Sequence, residues 1–153
     1  MPATHPQTTL AKQLAEYILL YSPWQMAADM IENYENQPGF SFIESVPTDW
    51  EKTLVLNAEI GKYLTIARKD KASDDWYIGS ATDADARNLT LDLNFLDGGK
   101  EYVAEVYADG DGADYRTNPY PLQYDRIKVT KGSSLSLRLA PSGGAAIRIK
   151  ACK

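Results

Sequence analysis

The spacing of apolar positions changes once along this chain. Early on it follows the 3.6-residue period of a helix, and from Asp49 onward it follows the two-residue period of a strand. Leu10, Leu14, Tyr17, Ile18 and Tyr21 recur at helical spacing, and Ala11 and Ala15 widen that face. Thr8 and Thr9 precede it as N-cap residues, whose hydroxyls accept from the free N–H groups of a first turn. Ser22-Pro23 closes the helix, because a proline ring disfavours the α conformation in the residue before it. Residues 23–29 are apolar with little alternation and too few for an ordinary helix, which predicts a parallel strand covered on both faces, with a helical turn as the other reading. Residues 33–39 read as loop, and residues 40–46 as a short helix closed by Pro47.

The second region predicts about eight strands. They are marked by Leu54, Leu56 and Ala58; Leu64 and Ile66; Trp76 and Ile78; Leu89, Leu91, Leu93 and Phe95; residues 103–108; Ile127 and Val129; residues 135–139; and residues 145–149. Turn-forming residues separate them, notably at 71–74, 97–99, 131–134 and 141–144. Short strands with one apolar face and frequent turns predict an antiparallel two-sheet β-sandwich of Greek-key type, so the fold class is mainly β with a helix–strand–helix start. A region of about a hundred residues is long enough to bury its own core.

Composition narrows the function. At 153 residues, 44% hydrophobic and 24% charged, the chain is globular rather than disordered. A net charge of −5 excludes the clustered cationic surface that nucleic acid requires. The single cysteine, Cys152, excludes an internal disulfide framework and a Cys-rich zinc site. The longest apolar patch, residues 17–21, is far short of the ~20 residues of a membrane span. The opening MPATHPQTT has no basic stretch followed by an apolar run, so no signal peptide is expected within it.

Several long motifs resemble one enzyme family. TTLAKQLAEY (8–17), YSPWQMAAD (21–29) and ENYE (32–35) closely resemble the final barrel segment of glycoside hydrolase family 97. VPTDW (46–50), GKYLTIAR (61–68) and DWYIG (75–79) resemble the opening of that family's C-terminal β-sandwich. The resemblance implies two parts: residues 1–48 as the terminal helix, strand and helix of a (β/α)8 barrel, and residues 49–153 as the C-terminal sandwich. It implies a parent α-glucosidase or α-galactosidase, periplasmic or extracellular, that uses carboxylates and an active-site calcium. A whole barrel takes roughly 250 residues, so this chain supplies at most its last stave. The family's catalytic carboxylates and calcium-binding glutamates lie upstream of the matched segment, so no catalytic residue or calcium ligand is assigned here.

Candidate site residues are few. Asp29 would end the last barrel strand at the mouth where barrel active sites form, with Glu32 and Asn33 in the loop beyond, making them substrate-pocket candidates in the parent. The competing reading of Asp29 is a cap on the following turn. Trp76 and Tyr77 are sugar-stacking candidates, although Trp76 shares its alternation with Ile78, which favours the core. Asp109, Asp111 and Asp114 suggest a calcium loop, but Ala113 and Tyr120 break the EF-hand pattern and Asp-Gly pairs form ordinary turns. Trp50 is expected to wedge between the two parts. His5 has no triad partner pattern, Ser133 and Ser134 lack a nucleophile elbow, and Cys152 reads as an exposed tail thiol.

The chain is therefore expected to be a structural and oligomerisation piece of a family 97 enzyme, inactive alone, partnering itself or an upstream barrel part. Two alternatives stand beside this: a carbohydrate-binding module that takes oligosaccharide, and one part of a split α-glycosidase. Leu10, Leu14, Ile18 and Trp24 are expected to have packed on barrel neighbours. Without those neighbours the helix would fold back on the sandwich, dimerise or stay mobile.

Overall fold

The computed structural model describes residues 6–27 and 30–152. Three helices come first: α1 (Leu10–Leu19), α2 (Ile31–Tyr34) and α3 (Phe40–Ser45). Eight strands follow: β1 (Trp50–Glu59), β2 (Tyr63–Asp70), β3 (Trp76–Thr82), β4 (Arg87–Asp92), β5 (Glu101–Asp109), β6 (Leu122–Thr130), β7 (Ser134–Leu139) and β8 (Gly144–Ala151). Every pairing is antiparallel. The large sheet runs β1-β2-β3-β8-β5-β6 and the small one is β4-β7. The last strand thus returns to the middle of the large sheet, between β3 and β5.

Alternation places the main core between the two sheets. Leu91, Leu135, Leu137 and Leu139 of the small sheet meet Trp76, Ile78, Tyr102, Ala104, Ile147 and Ile149 of the large one. Leu93 and Leu96 continue this core in the bend after β4, where the Leu96 N–H donates to the Leu93 carbonyl at 3.1 Å.

A second core lies on the outer face of the large sheet. Leu14, Ala15 and Ile18 of α1 and Phe42 of α3 pack on Tyr77, Tyr107 and Ala146. The apolar stripe of α1 therefore has its partner within this chain. Leu14 and Ile18, expected to have lost theirs with the barrel, are buried, whereas Leu10 is half-buried and Trp24 is exposed. The approach is close because Gly79 and Gly144 lie beneath the helix. A Cβ on Gly79 would sit 2.7 Å from the Ala15 carbonyl oxygen, and one on Gly144 would sit 2.7 Å from the Lys12 Cα.

Both ends of α1 are tied down. At its start the Thr9 hydroxyl accepts from the Lys12 N–H at 3.3 Å, as the N-cap pattern predicts. The Thr9 N–H donates to the Ser142 carbonyl at 3.2 Å and the Leu10 N–H to the Pro119 carbonyl at 2.8 Å. Donors that a helix start leaves unpaired thus reach two loops of the sandwich. At its end Arg68 Nε donates to the Ile18 carbonyl at 2.7 Å.

The segment expected to be a barrel strand lies between helices, but its described part, residues 23–27, has no ladder partner and no regular structure. A parallel strand exists only as part of a sheet, and this chain offers it no neighbour. Residues 31–34, read as loop at their C-terminal half, form the single turn of α2.

Candidate functional site

The face that carries α1 holds the features that sandwich packing alone does not explain. On its inner side Asp109, 7% exposed, ends β5 beneath the start of the helix. Its Oδ2 accepts from the Ala140 N–H at 2.7 Å and the Gly144 N–H at 2.9 Å, which fastens the β7–β8 turn. Burial pushes its carboxyl above the ordinary aspartate range, opposed by Thr9, these two amides and the nearby Lys12. Lys12 Nζ in turn donates to the Thr82 carbonyl at 2.8 Å and to the Ser142 hydroxyl at 3.4 Å.

Arg68 is the second such feature, at 7% exposure. Nη1 donates to Thr53 Oγ1 at 3.0 Å, and the guanidinium lies 5.4 Å from the Tyr21 ring and 5.9 Å from that of Trp50. Among the described residues no carboxylate pairs with it. The carbonyl end of α1, where the helix dipole favours a cation, takes that place. Trp50 meets Tyr77 edge-on at 5.6 Å, so it packs on the outer core beside α3.

The outer side of α1 borders a groove of about 390 Å³ lined by Pro6, Thr8, Gln13, Glu16, Tyr17, Leu20, Gln25, Met26 and Tyr34. The Thr8 hydroxyl oxygen is shielded from solvent and has no hydrogen-bond partner among the described residues. Burial raises the Glu16 carboxyl, opposed by Lys12, and raises the Tyr17 hydroxyl, with Tyr34 adding to the effect. From the groove a run of exposed apolar side chains continues through Leu20, Tyr21, Trp24, Met26, Met30 and Ile31, with Trp24 79% exposed. Among the described residues, Glu16 is the carboxylate that lines the groove.

The predicted site residues do not converge. Asp29 and His5 lie outside the described residues. Glu32 and Asn33 are exposed on α2. Trp76 and Tyr77 are 5% and 2% exposed, so neither offers a ring to a sugar. The tilted rings of Trp76 and Phe95 lie 4.7 Å apart in the main core, and the Tyr77 hydroxyl donates to the Ser45 carbonyl at 2.7 Å. They lie on opposite faces of one sheet that is covered on both sides. The three aspartates serve three local tasks. Asp109 holds the β7–β8 turn, Asp111 reaches Arg138 at 3.3 Å from an exposed position, and Asp114 accepts from the N–H groups of Arg116 and Thr117 at 2.8 and 3.1 Å. Among the described residues no three metal-binding side chains cluster, and no helix is long and apolar enough to cross a membrane. Cys152 is exposed, and the Ser133 hydroxyl accepts from the Thr130 N–H within its turn.

Sequence reasoning passed over Arg68, Gly79 and Gly144. A signal existed for each: an arginine inside a buried strand, and glycines inside strands, which mark a close approach of another backbone.

Comparison with known proteins supplies the context. The model of a family described as glycosyl-hydrolase 97 C-terminal, oligomerisation, matches residues 49–150. Over 150 residues the chain is 37% identical to the retaining alpha-galactosidase of Bacteroides thetaiotaomicron, a match that covers 94% of this chain and 21% of that protein. The structure is similar to a glycoside hydrolase family 97 enzyme from Pseudoalteromonas sp. strain K8, solved in complex with panose and with acarbose. Each of these superpositions has a TM-score of 0.94 at 48% identity, over 97% of this chain and 23% of that one. The chain thus spans less than a quarter of the length of these relatives, and the superposed part includes the helices as well as the sandwich.

Proposed function

The chain belongs to the glycosyl hydrolase 97 family, as its C-terminal, oligomerisation region, and on that basis we propose that it is the non-catalytic association module of a longer enzyme that cleaves α-glucosidic or α-galactosidic bonds. The observation that carries this reading is the contrast between two surfaces. Buried apolar side chains fill a core between the two sheets and a second beneath the inner side of α1. The apolar run from Leu20 to Ile31 stands open, a kind of surface that marks an association site. Catalytic carboxylates and calcium are assigned to the upstream part of the longer enzyme. The burial of Trp76 and Tyr77 leaves the carbohydrate-binding alternative without its stacking platform.

Light scattering on the purified chain, combined with a nitrophenyl α-glycoside assay, tests the proposal. The expected result is a defined oligomer with no turnover. A monomer at every concentration would refute the association role, and hydrolysis by the isolated chain would refute the non-catalytic one.

A further inference from the structure

We propose that the open edge of β7 is a docking site for an extended peptide strand, which adds to the small sheet and lays a basic side chain over Asp125. The site lies on the inner face of the large sheet, the face opposite α1, and apart from the run Leu20 to Ile31. Three observations carry it. First, the small sheet ends short of the large one. It has two strands against six, and β7 packs over β5 and β8, so β6 projects beyond it as an uncovered floor. Gln123, Asp125 and Ile127 of β6 stand opposite Ala108, Val106 and Ala104 of β5, the row of β5 that faces the main core. With Ser134, Ser136 and Arg138 of β7 they line a groove of about 340 Å³, in which Ile127 is 42% exposed.

Second, the backbone of β7 turns ladder groups toward that groove. The Leu93 N–H donates to the Ser133 carbonyl at 2.9 Å, one step beyond the β4–β7 register. Alternation then gives the ladder bonds to Leu135, Leu137 and Leu139, and points the N–H and C=O of Ser134, Ser136 and Arg138 away from β4. The next donor in that row, the Ala140 N–H, is taken by the Asp109 carboxylate, which closes one end. Among the described residues no strand pairs with β7 on this side. The opposite edge of the small sheet is obstructed, because Asn57 Nδ2 donates to the Thr90 carbonyl at 3.2 Å.

Third, β7 lacks the devices that guard an edge. It has no proline and no lysine, its register with β4 has no shift, and its one charge, Arg138, reaches Asp111. By contrast β1, an edge of the large sheet, carries two register shifts. The floor defines the partner. Asp125 and Ile127 share a face two residues apart, so the fitting strand carries a basic and an aliphatic residue at the same spacing. A second copy cannot pair its own β7 antiparallel here, because the β6 overhangs of both copies would fill the same space.

The test is an NMR titration of the isotope-labelled chain with a short capped peptide, in which threonines alternate with one lysine and one valine. Amide shifts are expected at Ser134, Ser136, Arg138 and Ile127, with slowed hydrogen exchange at the three β7 amides. Methylating the peptide nitrogens that face β7 should weaken binding about tenfold. Ser136→Pro should do the same, because it removes an outward N–H and leaves the ladder to β4 intact. Asp125→Lys should weaken the lysine peptide about tenfold and favour a glutamate peptide, which reads the site without altering β7. The absence of shifts at millimolar peptide, or binding that survives both variants, would overturn the inference. β7 amides already protected in the chain alone, and exposed on dilution, would overturn it in favour of a second copy.

Discussion

Gly79→Ala is a one-atom perturbation of the contact between α1 and the sheet. The new Cβ would lie 2.7 Å from the Ala15 carbonyl oxygen, 2.9 Å from Ile18 Cβ and 3.1 Å from Leu19 Cγ. The first of these is backbone, so no rotamer change relieves it. Ordinary contact begins near 3.4 Å, which requires α1 to rise by about 0.7 Å. A gap of that size forfeits roughly a quarter to a half of the dispersion between facing atoms. Leu14 and Ile18 are the large side chains in that contact, each worth roughly 1.5–3 kcal/mol when buried. Losing a quarter to a half of their sum gives about 1–3 kcal/mol, within the range known for overpacked cores. At about 2–4 °C per kcal/mol for a chain of this size, the melting temperature should fall by about 2–12 °C. Hydrogen exchange should show faster opening of the α1 amides before those of the main core. Gly98→Ala is the control, because its nearest neighbour is the flexible end of Lys131 at 3.9 Å. If both variants melt with the parent chain, the glycine does not set the helix-to-sheet distance and the argument is wrong.

Three further outcomes are expected. Arg68→Lys should cost about 1–3 kcal/mol in denaturant unfolding, because an ammonium cannot serve the Ile18 carbonyl and Thr53 while stacking on Tyr21 and Trp50. Asp109 binds its proton more tightly folded than unfolded, so its contribution to stability is present at low pH and is lost as pH rises from the ordinary aspartate value of about 3.9 through the raised one. Asp109→Asn has no such titration, so melting curves across that window should show the variant gaining on the parent chain as pH rises; a constant difference would refute the linkage. Trp76→Ala should cost about 3–5 kcal/mol in calorimetric unfolding.

Much of the sandwich was legible because strands such as β4 and β7 keep an apolar side in alternation. Leu135, Leu137 and Leu139 announce β7 without any knowledge of its partner. The turn role of Asp114 was legible for a similar reason, since its hydrogen bonds reach only two and three residues ahead. What failed was long-range. Periodicity reveals that α1 has an apolar stripe, but it carries no information about which surface covers it, and the barrel was the wrong cover for Leu14 and Ile18. The same limit applies to Tyr77, buried although it alternates with Trp76, because a helix covers the far side of its sheet. Residues 23–27 show the converse: a pattern compatible with a strand cannot become one without a neighbour to complete its hydrogen bonds.

The anchoring of Thr9 and Leu10 on the loops at Ser142 and Pro119 bears on how this region is inherited and transplanted. Those two loops belong to the last third of the sequence, so the helix is fastened beside the closing strands although some hundred residues separate them. A fusion that begins at Trp50, where the strands start, would strip one side of the large sheet and leave the Ser142 and Pro119 carbonyls facing water. A graft that begins at Gln7 carries its own lid, and is the cut that protein engineers should make.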